Sequence, residues 1–348
     1  MSQRSLIPVS TDAGLVPAAV DREFPLMGTH MRVVVGAPVR DDLLSPDEAA
    51  DAVVAYLEDY NARLSRFRAD SELSLLNADP RETVPASDLL RDAVRAALWA
   101  ASRTGGLVDP TILDDLETVG YVESWNPDRR LDLRAALAGD RPAPATAHPG
   151  EHQRWQAVSV DDVDGTITRP PGLRIDTGGT GKGHAAERAS ELLAGYDAWA
   201  VDCGGDLRIG GDAGLVRDVE VEHPFSGETL ATIKIRDGAV ATSGLRSRIW
   251  AGADGDVRHH LLDPATGRPA FTGLVAVTAL APSAVEAEAL AKEALLRGPL
   301  GARTVLAAHG GITVAEDGSV DRIGRLEPAP RVRFRLPSPT IQPPRSAA

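Results

Sequence analysis

Lysine is nearly missing from this sequence: of 37 cationic side chains only three are lysine, Lys182, Lys234 and Lys292. Surface cations are written as arginine, so each lysine asks for its own reason. Cysteine is rarer still. Cys203 stands alone, which excludes an internal disulfide and the cysteine spacings of a metal site. Aromatics make up 4% of the chain, so the core must rest on Ala, Val, Leu and Ile. No apolar run approaches the roughly 20 residues of a membrane helix, and no basic start followed by an apolar run opens the chain. The resulting expectations are no membrane insertion and a cytoplasmic location. Net charge is −13 with acids and bases interleaved, so the clustered basic face that a nucleic-acid partner requires is absent.

The 348 residues, 43% hydrophobic and 25% charged, suit a globular protein with a substantial core. The ends, 1–20 and 331–348, are rich in Pro, Ser and Ala and are expected to be flexible tails around one domain over 21–330. "MRVVVGAP" at 31–38 is a β run closed by Gly and Pro. Ser45, Pro46 and Glu48 open a helix whose apolar positions recur at helical spacing through Val53, Leu57, Tyr60 and Leu64. A second helix starts after Ser87 and stops at Gly105. The Pro/Ala/Gly-rich stretch at 139–152 is an exposed excursion, and β runs dominate from "WQAVSVDDVDGTITR" onward. The mixture predicts an α+β fold with helices laid on a mainly antiparallel sheet.

"LRIDTGGTGKGHAAERASELLAG" is the strongest local signal. A β run ending at Asp176 meets a glycine turn that feeds a helix after Lys182, and unpaired N–H groups at such a helix start favour a phosphate. Lys182 could hold that phosphate or pair with Asp176. A Walker loop is excluded, because Asp176 and Gly183 stand where a Gly and a hydroxyl are needed. Gly181, Gly183 and Ala186, with Asp202 about 20 residues on, fit a dinucleotide fingerprint, which leaves an NAD(P)-binding oxidoreductase as one reading. A glycine turn that serves only packing is the plainer one.

Seven stretches, taken together and in order, give a more specific signal: "FPLMGTHMRVVV", "LSRFRADSELSLLN", "GGLVDPTI" with its sequel "VGY", "RIDTGGTGKGHAAE", "VDCGGDLRIGG", "VATSG" and "HLLDPATGRPA". In this series the chain resembles the ApbE family of FAD:protein FMN transferases over about residues 24–325. The resemblance implies an enzyme that breaks the FAD pyrophosphate, joins FMN to a Thr or Ser hydroxyl of a target protein and releases AMP. It implies FAD as substrate, Mg2+ as metal, and a redox protein with an FMN-binding or flavodoxin-like domain as acceptor. Residue by residue it places Met27, Phe67, Asp109, Pro110, Thr111, Asp176, Lys182, Ser243, Gly244, His260 and Leu262 on the flavin nucleotide. It makes His260 the base for the acceptor hydroxyl and Lys182 a partner of the phosphates, and it puts Gly179, Glu288 and Lys292 at the metal.

The chain departs from the family pattern in three places. Leu245 and Arg246 follow "TSG" where Asp and Tyr are usual, and His184 replaces a common Tyr. Lys292 stands where a Thr would ligate the metal, and an ammonium has no lone pair to offer. The helix itself is legible without the family: Ser283 and Glu286 form a capping box, Gly298 terminates it, and Ala287, Leu290, Ala291, Ala294 and Leu295 make its buried stripe. On its flank, Glu288 and Lys292 read either as a surface pair or as the place where a lysine supplies the metal's charge. In the first case the pair contributes about 0.3–0.5 kcal/mol. In the second, transfer survives with weakened Mg2+ dependence, or else the protein is a flavin carrier without transferase activity.

Overall fold

The computed structural model describes residues 20–139, 141–252 and 254–326; the expected tails lie outside these residues save for Val20. Eight strands form one antiparallel sheet in which each strand pairs with the sheet strand before it in sequence. They are β1 (Val20–Leu26), β2 (Thr29–Val35), β3 (Trp199–Cys203), β4 (Asp206–Gly210), β5 (Gly238–Gly244), β6 (Leu274–Ala281), β7 (Gly311–Ala315) and β8 (Val320–Ile323). The α+β expectation is met, and the sheet holds no parallel pair.

Both faces of the sheet are covered, so its strands alternate between two cores. On β2, Val33 and Val35 join the larger core beneath the helices, while Val34 joins a second cluster on the opposite face. There a hairpin, Arg217–Glu222 and Thr229–Ile235, closes over the sheet with Val219, Val221, Ile233 and Ile235. Four longer helices contribute to the first core: α1 (Pro46–Leu64), α2 (Asp88–Thr104), α3 (Gly181–Glu191) and α4 (Ala284–Leu296).

The cap signals act as the sequence predicts. Ser45 and Glu48 form a reciprocal capping box, Ser87 accepts from Leu90 N, and Gly105 takes the left-handed conformation at φ 65°. At α4 the Ser283 half of the box is present, with Glu286 N donating to Ser283 Oγ at 3.2 Å. The Glu286 carboxylate instead faces His309 Nε2 at 3.8 Å. Gly298, φ 69°, follows the C-cap Arg297 as expected.

Three expectations need correction. The run ending at Asp176 is no strand, because its backbone partners are not another strand. Ile175 exchanges two hydrogen bonds with the Asn77 side-chain amide, 2.7 and 2.8 Å, and Asp176 N donates to Pro110 O at 2.8 Å. The helix also begins earlier than expected, so Lys182 sits in its first turn. Finally, α4 is not a surface helix with one buried stripe: every residue of it except Lys292 is buried. Its alanines admit close neighbours, and a Cβ at Gly183 would stand 2.5 Å from Ala284 O, which fixes glycine there. Of the expected 139–152 excursion, residues 141–152 are largely exposed but strapped down, with Ala145 N donating to Phe271 O and Ala147 N to Leu296 O, both at 2.9 Å.

Candidate active site

A single cleft is walled by residues from distant parts of the chain: Met27, Phe67, Asp109, Asp176, Gly179, Lys182, His260, Leu262 and Lys292. One end is aromatic and apolar. Phe67 meets Tyr121 edge-on at 5.4 Å, and Tyr121, Trp125 and Trp250 pack with Leu116 and Leu262 behind it. Arg66 lies over both rings, 4.2 Å from the Phe67 centroid and 4.6 Å from that of Tyr121. It also donates to Tyr121 O and faces Asp176 Oδ2 at 3.5 Å. Met27 enters this end from the two-residue turn between β1 and β2, where Leu26 pairs with Thr29. Both turn residues have positive φ, 52° at Met27 and 68° at Gly28, the signature of the hairpin turn that matches strand twist.

The other end is cationic and glycine-lined. Asp176 shapes the loop by accepting from Gly178 N at 2.8 Å, and Gly178, Gly179 and Gly181 bring bare backbone to the cleft. Lys182 does not pair with Asp176. Its Nζ lies 2.5 Å from Asp206 Oδ2, on a carboxylate with 1% exposure contributed by β4. Lys292 Nζ donates to Glu288 Oε1 at 2.7 Å, and Glu288 Oε2 accepts from Gly183 N at 2.8 Å. Glu288 is wholly buried. Burial alone would lower the Lys182 pKa, but the Asp206 and Glu288 carboxylates outweigh it and the net shift is upward, so the ammonium persists.

His260 lines the cleft, 6.3 Å from the Tyr121 ring, and its buried Nδ1 has no hydrogen-bond partner among the described residues. Burial, then the charges of Arg248 and Lys292, push its pKa well below 6.5 and keep the ring neutral. Its neighbour His259 points away into the core against Phe271, and burial takes its pKa to about 3. Below pH 6.5 the unfolded chain protonates His259 and the folded chain does not, so stability falls as pH drops from about 6.5 toward 3, and the lowered His260 acts in the same direction. For His259 the slope approaches about 1.4 kcal/mol per pH unit. Melting temperature against pH for His259→Leu and wild type measures this: the variant should show the shallower acid-side decline, and parallel curves would sink the assignment.

The remaining residues implied by the resemblance stand behind this wall. Thr111 clamps Asp109 through its N and Oγ1, at 2.7 and 2.6 Å, and Pro110 accepts from Asp176 N. Burial raises the Asp109 pKa against those Thr111 bonds. Ser243 and Gly244 belong to β5, pair with Val277 and Ala276, and do not line the cleft. Glu288 lies beneath the two lysines and also does not line it. Several lining residues escape sequence reasoning: Tyr60, Arg66, Tyr121, Trp125 and Arg248. Asp206 was visible only as the last residue of "VDCGGD". Beneath the loop, Tyr60 Oη meets His184 Nδ1 at 3.0 Å, His184 Nε2 meets Asp92 at 2.9 Å, and Arg188 grips Asp92 twice. His184, the departure from the family's Tyr, thereby joins α1, α2 and α3.

An antiparallel sheet carrying helices on one face, with an aromatic cleft that ends in a glycine loop and two lysines, defines a protein built for a ring system joined to phosphate. Among the described residues there is no doubly wound parallel sheet of the kind the dinucleotide fingerprint requires, which overturns the NAD(P) reading. Residues 27–315 match the family model described as the ApbE family, and the chain belongs to that family. It is 27% identical over 300 residues to the FAD:protein FMN transferase of Escherichia coli K12, covering 83% of this chain and 81% of that protein. The FAD:protein FMN transferase of Treponema pallidum is 27% identical over 293 residues, 78% of each chain. Among solved structures, an ApbE protein from Thermotoga maritima superposes with a TM-score of 0.71 at 27% identity, covering 87% of this chain and 96% of that one. The apo flavinyl transferase ApbE of Pseudomonas stutzeri shares the fold with a TM-score of 0.66 at 23% identity, covering 87% and 95%. No helix among the described residues is long and apolar enough to cross a membrane.

Proposed function

We propose that this chain is an FAD:protein FMN transferase. The observation that carries the reading is convergence: residues from five of the seven family stretches, 233 positions apart from Met27 to His260, wall one cleft in a chain that matches the family along most of its length. The aromatic end, with Phe67, Tyr121 and Met27, takes the flavin ring by stacking and apolar contact. The glycine loop and the first turn of α3 take the diphosphate, and Lys182 adds a fixed positive charge. The hydroxyl of a Thr or Ser on an FMN-binding or flavodoxin-like acceptor attacks the phosphorus of the FMN half. The bond to the bridging oxygen breaks, and AMP departs with its electron pair. His260, neutral and open to the cleft, receives the hydroxyl proton.

The Mg2+ implied by the family does not fit the residues present. Both Glu288 oxygens are engaged, Lys292 offers no lone pair, and no group of three or more His, Cys, Asp or Glu side chains capable of holding a metal exists among the described residues. That mismatch motivates the one alternative, a carrier that binds FAD without transferring it. Incubating the protein with FAD and an FMN-binding-domain acceptor separates the two on a denaturing gel. Flavin fluorescence migrating with the acceptor is expected, whereas flavin that comes free on denaturation means a carrier.

A further inference from the structure

We infer that the cleft neutralises its ligand's diphosphate with two tethered ammonium groups, Lys182 and Lys292, and does so without a divalent cation. The inference rests on the flavin-nucleotide reading above but concerns how the diphosphate is held.

The placement of the lysines is the first support. Two of the chain's three lysines line this cleft, whereas Lys234 lies on the outer hairpin with a side chain 63% exposed. Lys292 is the single unburied residue of α4, and its side chain is 13% exposed, at the cleft. A helix buried all round that opens at one ammonium delivers that charge to whatever occupies the cleft. Outside the cleft every Lys or Arg position but Lys234 is arginine; here the protein uses the compact point charge suited to a phosphate oxygen.

The second support is how the charges are held. Each ammonium has its own counter-ion behind it: Asp206 at 2.5 Å for Lys182, Glu288 at 2.7 Å for Lys292. Both carboxylates are essentially unexposed, so they cannot follow the lysines outward and the pairs cannot drift apart without stranding a buried charge. An ammonium has three donors: Lys292 gives one to its carboxylate, and Lys182 gives one to Asp206 and one to Gly204 O at 3.4 Å, so each keeps at least one for a phosphate oxygen. Glu288 does a second thing with its other oxygen: by accepting from Gly183 N it ties Lys292 to the first turn of α3, where the backbone already favours an anion. Glu288 is thus a positioning residue for both phosphate-binding elements, and a cation seeking its oxygens would have to displace Lys292 against like-charge repulsion from Lys182 and Arg248 on the same wall.

Titrating wild type with FAD and, separately, with ADP, in EDTA and in Mg2+, tests this through flavin fluorescence quenching and calorimetry. Equal affinity for FAD in both media, within about twofold, is expected, and Lys292→Met should weaken FAD by about tenfold in both, the loss of one charge-assisted contact. Lys292→Thr, which frees Glu288, should bind FAD more tightly in Mg2+ than in EDTA. FAD binding by wild type that EDTA abolishes and Mg2+ restores overturns the inference, as does one Mn2+ per chain seen by electron paramagnetic resonance. ADP bound equally in both media while FAD is refused in both would leave the ammonium pair standing and remove the flavin reading. The wild-type comparison decides the matter even if a variant fails to fold.

Discussion

Glu288→Ala is expected to lower the stability of this protein by about 3 kcal/mol, the lower end of the range for removing one partner of a buried pair. Glu288 has no exposure and accepts hydrogen bonds from both Lys292 Nζ and Gly183 N. Alanine strands the first as an unpaired ammonium and the second as an orphaned donor in the turn that opens α3. The lower end applies because Lys292 retains some access to water at the cleft. Glu288→Gln keeps the shape and an acceptor for Gly183 N and loses only the charge, so it should cost less than the alanine. Urea unfolding of the three proteins provides the comparison. An alanine variant within about 0.5 kcal/mol of wild type, the range of an ordinary surface substitution, would mean that the pair is as dispensable as a pair on an exposed helix flank.

The second large effect concerns His260. His260→Ala should slow flavin transfer by about 10²–10⁴-fold, the usual contribution of a positioned base. FAD affinity should change only a few-fold, since the ring is one contact among many in the cleft. The pH dependence separates this base from an ordinary histidine. Burial first, then Arg248 and Lys292, hold the imidazole neutral far below its usual range. The wild-type rate should therefore show no acid limb between pH 8 and 6 attributable to this residue. A rate that halves with a midpoint near 6.5 and loses that limb in the variant would show instead that His260 titrates like an exposed side chain.

What the sequence made legible was local. Ser45 with Glu48, Ser87 with Gly105, and Ser283 with Gly298 mark helix ends because caps act within a few residues of their own backbone. The antiparallel α+β architecture followed from the mixture of short β runs and capped helices. Pairings across the fold were hidden. Nothing near Lys182 indicates that its partner is Asp206 and not Asp176; the choice is made by β4 pairing with β3, which carries Asp206 under the loop. Asn77 is equally silent, although its amide takes the place of a strand beside Ile175. Glu288 looked like the flank of a surface helix because alanine-rich turns carry little periodic signal, whereas close packing against Gly183 buries it completely. Arg66 sits beside Phe67 in a quoted stretch, yet its stacking depends on Tyr121, 55 residues on.

The transferase reading is tested most directly by counting products in one reaction. The protein is mixed with FAD and a stoichiometric FMN-binding-domain acceptor in EDTA, and AMP is quantified against the intact mass of the acceptor. AMP appearing one for one with acceptor that carries a single covalent FMN is the result predicted here. Acceptor that stays unmodified while the protein binds FAD and releases no AMP, in EDTA and in Mg2+ alike, would contradict it.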